Sequence, residues 1–213
     1  MKHDVADVQR NYYARTASKY DAQHLSDSHE HLLALNYMYG LINFYGIKSI
    51  LDIGAGTGRT AIFLKEMNSE LTITSIEPVK ELRDVGYAKG LTTSELTEGD
   101  VYNLKFDDSS FDLVCAFGVF HHLQNPIAAL EEMKRVSRNS LFISDSNNFG
   151  RGSLYVRLIK QILNTLKLWQ IVTFIKTRGK MYSISEDDGL IYSFSVFNLV
   201  HNLKSRYTCY FMN

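Results

Sequence analysis

Two prolines and two cysteines are all that this 213-residue chain holds of the residues that most constrain a backbone. So few cysteines exclude a disulfide-stapled scaffold. Neither Cys115 nor Cys209 has a Cys or His partner at zinc-knuckle spacing, so both read as plain buried thiols. The seven histidines form no HExxH or comparable ligand pattern, and no metal is expected. A surplus of either charge is missing as well: 23 Lys and Arg face 23 Asp and Glu, which leaves no bulk basic field for nucleic acid. No run approaches the ~20 apolar residues of a membrane span, the longest being LVCAFGVF. The opening MKHDVADVQR lacks the apolar stretch of a signal peptide, so a cytoplasmic location is expected.

Hydrophobic residues make up 45 % and charged residues 22 %, an ordinary globular composition. A single domain of this length buries about 70 % of its unfolded-chain surface and needs no staple. Along the chain, 4–20 reads as a helix. Leu32, Leu33, Leu35, Met38, Leu41, Ile42 and Phe44 form an apolar stripe on a second one that ends near Gly46. The pattern then alternates. SILDI, LTITSI, TSELTEG, FDLVCAF and SLFISD read as strands, with TAIFLKEM, VKELRDVGYAKG and PIAALEEMKRVS as helices between them. Such alternation implies βαβ units, hence a mostly parallel sheet with helices on both faces. Beyond it, Leu154, Leu158, Ile162, Leu166 and Trp169 are spaced to bury one side of a helical stretch over 153–176. A turn is expected at Asp187, Asp188 and Gly189, a late helix at VFNLVHNLKSRY and a last strand at TCYFMN.

The sharpest signal is ILDIGAGTGRT, residues 50–60. A strand delivers the backbone to a loop where Gly54, Gly56 and Gly58 carry no Cβ, so a ligand can approach the main chain. A helix then begins with its free N–H groups directed at that ligand. Spacing narrows the ligand. A dinucleotide fingerprint needs a third glycine where Arg59 stands, and a phosphate-binding loop of the GKS or GKT kind is absent. Spacing alone still leaves a glycine-rich turn with or without a ligand.

With its strand, loop and helix in register, this segment resembles the class I S-adenosylmethionine (SAM)-dependent methyltransferases, in particular the small-molecule branch of ubiquinone- and menaquinone-biosynthesis-type enzymes. The resemblance covers roughly residues 10–146. It implies a Rossmann-like three-layer α/β/α sandwich with six or seven mostly parallel strands, N-terminal helices and a helical insertion after the fifth strand. On that reading 1–213 is one SAM-binding domain: a helical cap over 1–46, a cofactor core over 47–146 and a variable substrate-side region over 147–213. The matching residues imply that Gly54, Ala55, Gly56 and Gly58 wrap the amino-acid end of SAM. Glu77, followed by Pro78, holds the ribose hydroxyls, a task suited to a carboxylate. Asp100 and Val101 lie by the adenine, and Phe117 and Gly118 by the sulfonium. Asp52 arranges loop N–H groups or the methionyl ammonium, with several donors expected around it. Asp112 braces the sheet beside the loop.

NYYARTASKYD, residues 11–21, resembles the family segment that folds over SAM, which places Tyr20 by the cofactor and Tyr12 and Tyr13 nearer the acceptor; packing against the sheet is the other role open to these tyrosines. The implied chemistry is transfer of an already activated methyl group to a small-molecule acceptor, with S-adenosylhomocysteine as product, so alignment is the protein's main task. An acceptor that must lose a proton needs a base, and His122 and Tyr13 are the candidates; for His122 the first reading is a satisfied structural histidine, with the base as the other. Phe149, Tyr155, Tyr182, Tyr192 and Phe194 suggest an aromatic-lined pocket for a partly apolar acceptor. If DGLIYSFS does not add a strand, the sheet edge is left to residues 153–176 or to a second copy in a homodimer. A non-catalytic SAM-binding or regulatory protein is the alternative on the same fold.

Overall fold

The computed structural model describes residues 5–25, 29–150 and 152–203. It opens with α1 (Val5–Thr16), a 3-10 turn at Ala17–Lys19, α2 (Tyr20–Leu25) and α3 (His29–Tyr45). The alternating core follows as β1 (Ser49–Ile53), α4 (Arg59–Met67), β2 (Thr72–Ile76), α5 (Lys80–Ala88), β3 (Leu96–Thr97), β4 (Phe111–Phe117), α6 (Pro126–Val136) and β5 (Ser137–Ser144). Local signals set these boundaries. Pro126 occupies the first turn of α6, where its missing N–H costs nothing, and Asn125 Oδ1 caps the helix by accepting from the Ala128 N–H at 3.1 Å.

The strands form one parallel sheet in the order β3-β2-β1-β4-β5. From β1 the chain winds outward to β3, then crosses to the other side at β4, so the order reverses between β1 and β4. A parallel sheet opens a crevice at the carboxyl ends of its strands at such a point. One face is covered by Leu35, Met38 and Ile42 of α3 with Ala61 and Leu64 of α4. The other is covered by Leu130, Met133 and Val136 of α6. All are buried, and each large side chain contributes about 1.5–3 kcal/mol to the core. The three-layer α/β/α expectation holds.

The strand count does not. The main sheet has five strands among the described residues, not six or seven. After β5 come α7 (Leu154–Thr165), α8 (Trp169–Lys176), β6 (Tyr182–Ser185), β7 (Gly189–Tyr192) and α9 (Val200–Leu203). DGLIYSFS does supply a strand, β7. It pairs with β6 as a separate antiparallel hairpin because the turn at Glu186–Asp188 folds the chain back on itself, with Ser185 opposite Gly189. TCYFMN lies outside the described residues.

A second correction concerns α7. The stripe of Leu154, Leu158, Ile162 and Leu166, expected to be buried, is exposed, and α7 has no buried residue. Of that stripe only Trp169 turns inward, its ring 5.2 Å from that of Phe149.

Candidate active site

A cavity of about 780 Å³ opens at the carboxyl ends of β1, β2, β3 and β4, under a roof formed by α1 and β7. This is within the size range of small-molecule sites. The glycine loop forms its floor. Gly54 and Gly56 have φ of +64° and +57°, and a Cβ on Gly54 would stand 2.6 Å from Val119. The loop therefore requires glycine both for its backbone conformation and for room. Tyr20 packs directly on Gly56, with its hydroxyl 3.1 Å from where a Cβ would be.

Glu77 follows β2 and is buried against the loop. Oε2 accepts from the Gly56 N–H at 3.0 Å and Oε1 from the Val79 N–H at 2.9 Å. Burial raises its pKa while these two N–H groups pull it down. Each oxygen keeps a lone pair for a further donor, as a ribose diol would require. Asp100, after β3, is exposed at the rim; it accepts from the Tyr102 N–H at 2.9 Å and pairs with Arg10 of α1 at 3.4 Å. The cap is tied to the loop from beneath: Asp21 accepts from the Thr57 hydroxyl at 2.7 Å and pairs with Lys89.

Of the residues singled out in the sequence, Tyr13, Tyr20, Gly54, Gly56, Glu77, Pro78, Asp100, Val101, Phe117, Gly118 and His122 line this one cavity. Asp52, Ala55 and Gly58 do not. Ala55 turns toward the core, and a Cβ on Gly58 would meet Leu91 beneath the loop. Asp52 is buried in β1, and the groups that favour its charged form are side chains, the Cys115 thiol and the Thr60 hydroxyl, together with the Arg59 charge. Oδ1 accepts from the Cys115 thiol at 3.6 Å, and Oδ2 has no hydrogen-bond partner among the described residues. Burial pushes its pKa up to about 7. Of the loop N–H groups, that of Gly56 is held by Glu77. Asp112 likewise braces the opposite end of the sheet, accepting from the N–H groups of Lys48 and Ser49 at the start of β1.

Above the sulfonium side expected near Phe117 and Gly118 lies a network the sequence did not announce. His122 Nδ1 is 2.7 Å from the Leu190 carbonyl and 3.0 Å from Gln9 Nε2, so an acceptor and a donor meet at the same ring nitrogen. The Tyr13 hydroxyl stands 2.9 Å from His122 Nε2 and 3.0 Å from Asp188 Oδ1. His121 is clamped between Asp145 at 2.7 Å and Asp188 at 3.1 Å. Burial alone would lower the His121 pKa, but the two carboxylates outweigh it and raise it to about 9. Burial and the Asp188 charge hold the Tyr13 phenol well above its ordinary value. Burial works against ionisation of Asp188 too, yet the two imidazoles keep it below the usual carboxylate range.

Gln9, Arg10, Asp145 and Asp188 were missed in the sequence. Asp188 carried only a turn signal, and nothing local links it to histidines 66 or 67 positions earlier. The aromatic pocket is also redistributed. Tyr192 alone of the five variable-region candidates lines the cavity; Phe149 and Phe194 are buried in packing and Tyr155 is exposed. Tyr12 instead donates to the Glu186 carbonyl at 2.7 Å.

Fold and site together define a glycine-loop cofactor domain with an acid at the end of each of the next two strands. Residues 51–142 match the methyltransferase domain model. Among curated proteins, the chain is 28 % identical over 128 residues to a demethylmenaquinone methyltransferase of Staphylococcus epidermidis, covering 58 % of this chain and 53 % of that protein. It is 32 % identical over 143 residues to the ubiquinone/menaquinone biosynthesis C-methyltransferase UbiE of Bdellovibrio bacteriovorus, covering 62 % and 58 %. The match thus spans little more than half the length of these relatives. A solved SAM-dependent methyltransferase of Thermotoga maritima, a possible histamine N-methyltransferase, aligns with a TM-score of 0.60 at 19 % identity, covering 92 % of this chain and 79 % of its own; it shows the shared fold. Residues 51–142 thus form a methyltransferase domain similar to those of the demethylmenaquinone and ubiquinone/menaquinone methyltransferases, and SAM is the cofactor that this similarity supports. The residues present fit that cofactor: Gly54, Gly56 and Gly118 line the cavity with main chain alone, and Glu77 offers a buried carboxylate beside them.

Proposed function

We propose that this chain transfers the methyl group of SAM to a small, partly aromatic acceptor that gives up a proton as it is methylated. The observation that carries this reading is the Tyr13–His122 contact of 2.9 Å on the wall of the cavity that also holds the glycine loop and Glu77. SAM supplies an activated methyl carbon, whose bond to sulfur breaks with the electron pair passing to sulfur. The chain's residues do the rest. Gly54, Gly56 and Glu77 fix the cofactor, while Tyr13, Tyr20, Tyr102, Phe117 and Tyr192 give the cavity faces on which an aromatic acceptor can lie.

As the acceptor's lone pair attacks carbon, its proton passes to the Tyr13 oxygen, and the Tyr13 proton turns from Asp188 Oδ1 to His122 Nε2, a step that requires the His122 tautomer with Nε2 unprotonated. With its pKa raised, Tyr13 holds no stored phenolate, so the two transfers are concerted. The His122 imidazolium forms 3.4 Å from Asp188 Oδ1, which stabilises it. His121, with its pKa near 9, is already protonated and serves as a positive clamp rather than a base.

The test is calorimetric titration with SAM, S-adenosylhomocysteine and NAD, followed by transfer of labelled methyl to a panel of small phenols, amines and thiols. Binding of the first two ligands without NAD, and label on a phenol or thiol, support the reading. Failure to bind either SAM-type ligand overturns it.

A further inference from the structure

In a chain whose charges balance, residues 146–185 hold seven Lys and Arg and no Asp or Glu. This stretch is also where apolar side chains face outward. Leu154, Leu158, Ile159 and Ile162 of α7, with Ile171 and Ile175 of α8, are between 47 % and 71 % exposed. On α7 the apolar positions recur at i, i+4, i+5 and i+8, one continuous face, with Arg157, Lys160 and Gln161 on the other. Beside this face, between α8 and the β6–β7 hairpin, lies a second cavity of about 530 Å³. Lys160, Lys176, Arg178 and Lys180 line it together with Trp169, and no acid does.

We propose that the α7–α8 unit is a docking surface for an anionic lipid bilayer, with the exposed leucines and isoleucines entering the acyl boundary and the lysine-lined cavity taking a lipid phosphate. An amphipathic basic helix with an aromatic residue at its rim has this physical signature. Charge decides against the other occupants. Two copies meeting through this face would set cations against cations with no acid among 146–185 to offset them. A nucleic acid would satisfy the cations but leave the apolar face in water. The basic cavity shares only Tyr192 with the cavity that holds Glu77, and no residue of α7 or α8 lines the latter, so the inference stands independently of the methyl-transfer reading.

The experiment is flotation of the full chain with vesicles of phosphatidylcholine alone or of equal parts phosphatidylcholine and phosphatidylglycerol, at low and high salt. Binding to the anionic vesicles only, weakened by salt, is expected. Lys176→Gln and Arg178→Gln should each weaken it by about fivefold, the value of one cation near an anionic surface. The pair Leu158→Gln and Ile162→Gln should abolish it. All four are exposed positions, so the thermal melt and S-adenosylhomocysteine affinity should hold and report intact folding. No flotation, equal flotation with neutral vesicles, or unchanged binding by the variants overturns the proposal. So does light scattering that shows a dimer which the Leu158→Gln, Ile162→Gln pair dissolves, since the face would then belong to a second copy.

Discussion

The Tyr13 hydroxyl lies 3.0 Å from Asp188 Oδ1, although 175 positions separate the two residues. The contact is part of a seam between α1 and the β6–β7 hairpin. Gln9 donates to the Asp188 carbonyl and accepts from the Leu190 N–H, and Tyr12 donates to the Glu186 carbonyl. The seam closes the roof of the cavity and sets Tyr13 against His122. It joins a helix expected to cap the cofactor to a hairpin whose turn was expected and whose strand at DGLIYSFS was left open.

Tyr13→Phe keeps the ring against Tyr20 and His122 and removes only the hydroxyl. If the hydroxyl relays a proton, turnover should fall about 10²–10⁴-fold, the usual weight of acid–base catalysis. Calorimetric affinity for S-adenosylhomocysteine should not change. Full turnover in the variant would remove Tyr13 from the proton path.

Asp188→Asn should lower the His121 pKa from about 9, read by NMR titration of the imidazole, because one of its two carboxylate partners is neutralised. The folded value lies above the ~6.5 of an unfolded histidine. The pair's contribution to stability is therefore whole below about pH 6.5 and is lost as the pH rises through about 9. Urea midpoints of the wild type should drop across that window, and those of the variant should drop less. Equal slopes would mean that Asp188 does not hold the imidazolium.

Glu77→Gln places an amide where both the Gly56 and Val79 N–H groups need an acceptor. Loss of hydrogen bonds to a charged group should weaken S-adenosylhomocysteine binding by roughly 1.5–3 kcal/mol. Calorimetry that finds the wild-type affinity would separate Glu77 from the ribose.

Asp52→Asn tests a buried acid whose Oδ2 has no hydrogen-bond partner among the described residues. Its pKa of about 7 stands above the ~3.9 of an unfolded aspartate, so the native state binds the extra proton between those values and loses stability as the pH rises through about 7. An asparagine carries no such loss. The melting temperature of the variant relative to wild type should therefore climb from pH 4 to pH 8. A constant difference would show that Asp52 is ionised in the native protein throughout.

The sequence alone determined what depends on short range. Short apolar and β-branched runs marked β1, β2 and β4, and Pro126 marked the start of α6. The glycines of the β1 loop were legible because only residues without a Cβ can take φ near +60° while a neighbour such as Val119 lies so close. The positions of Glu77, Asp100, Phe117 and Gly118 around one cavity followed from the parallel order, since each ends a strand whose carboxyl end faces the same crevice.

Only the tertiary structure decided the rest. Amphipathic spacing at Leu154, Leu158 and Ile162 states that one face of α7 is apolar, not that anything in the chain covers it. The strand β7 could be read from the chain, but its partner is set by a turn that makes local pairing with β6 easier than joining a distant sheet edge. Tyr13, His122 and Asp188 come from three separate elements, and a proton path needs them within about 3 Å of each other. No periodicity encodes a distance across 175 residues; the packing of α1 against the hairpin fixes it.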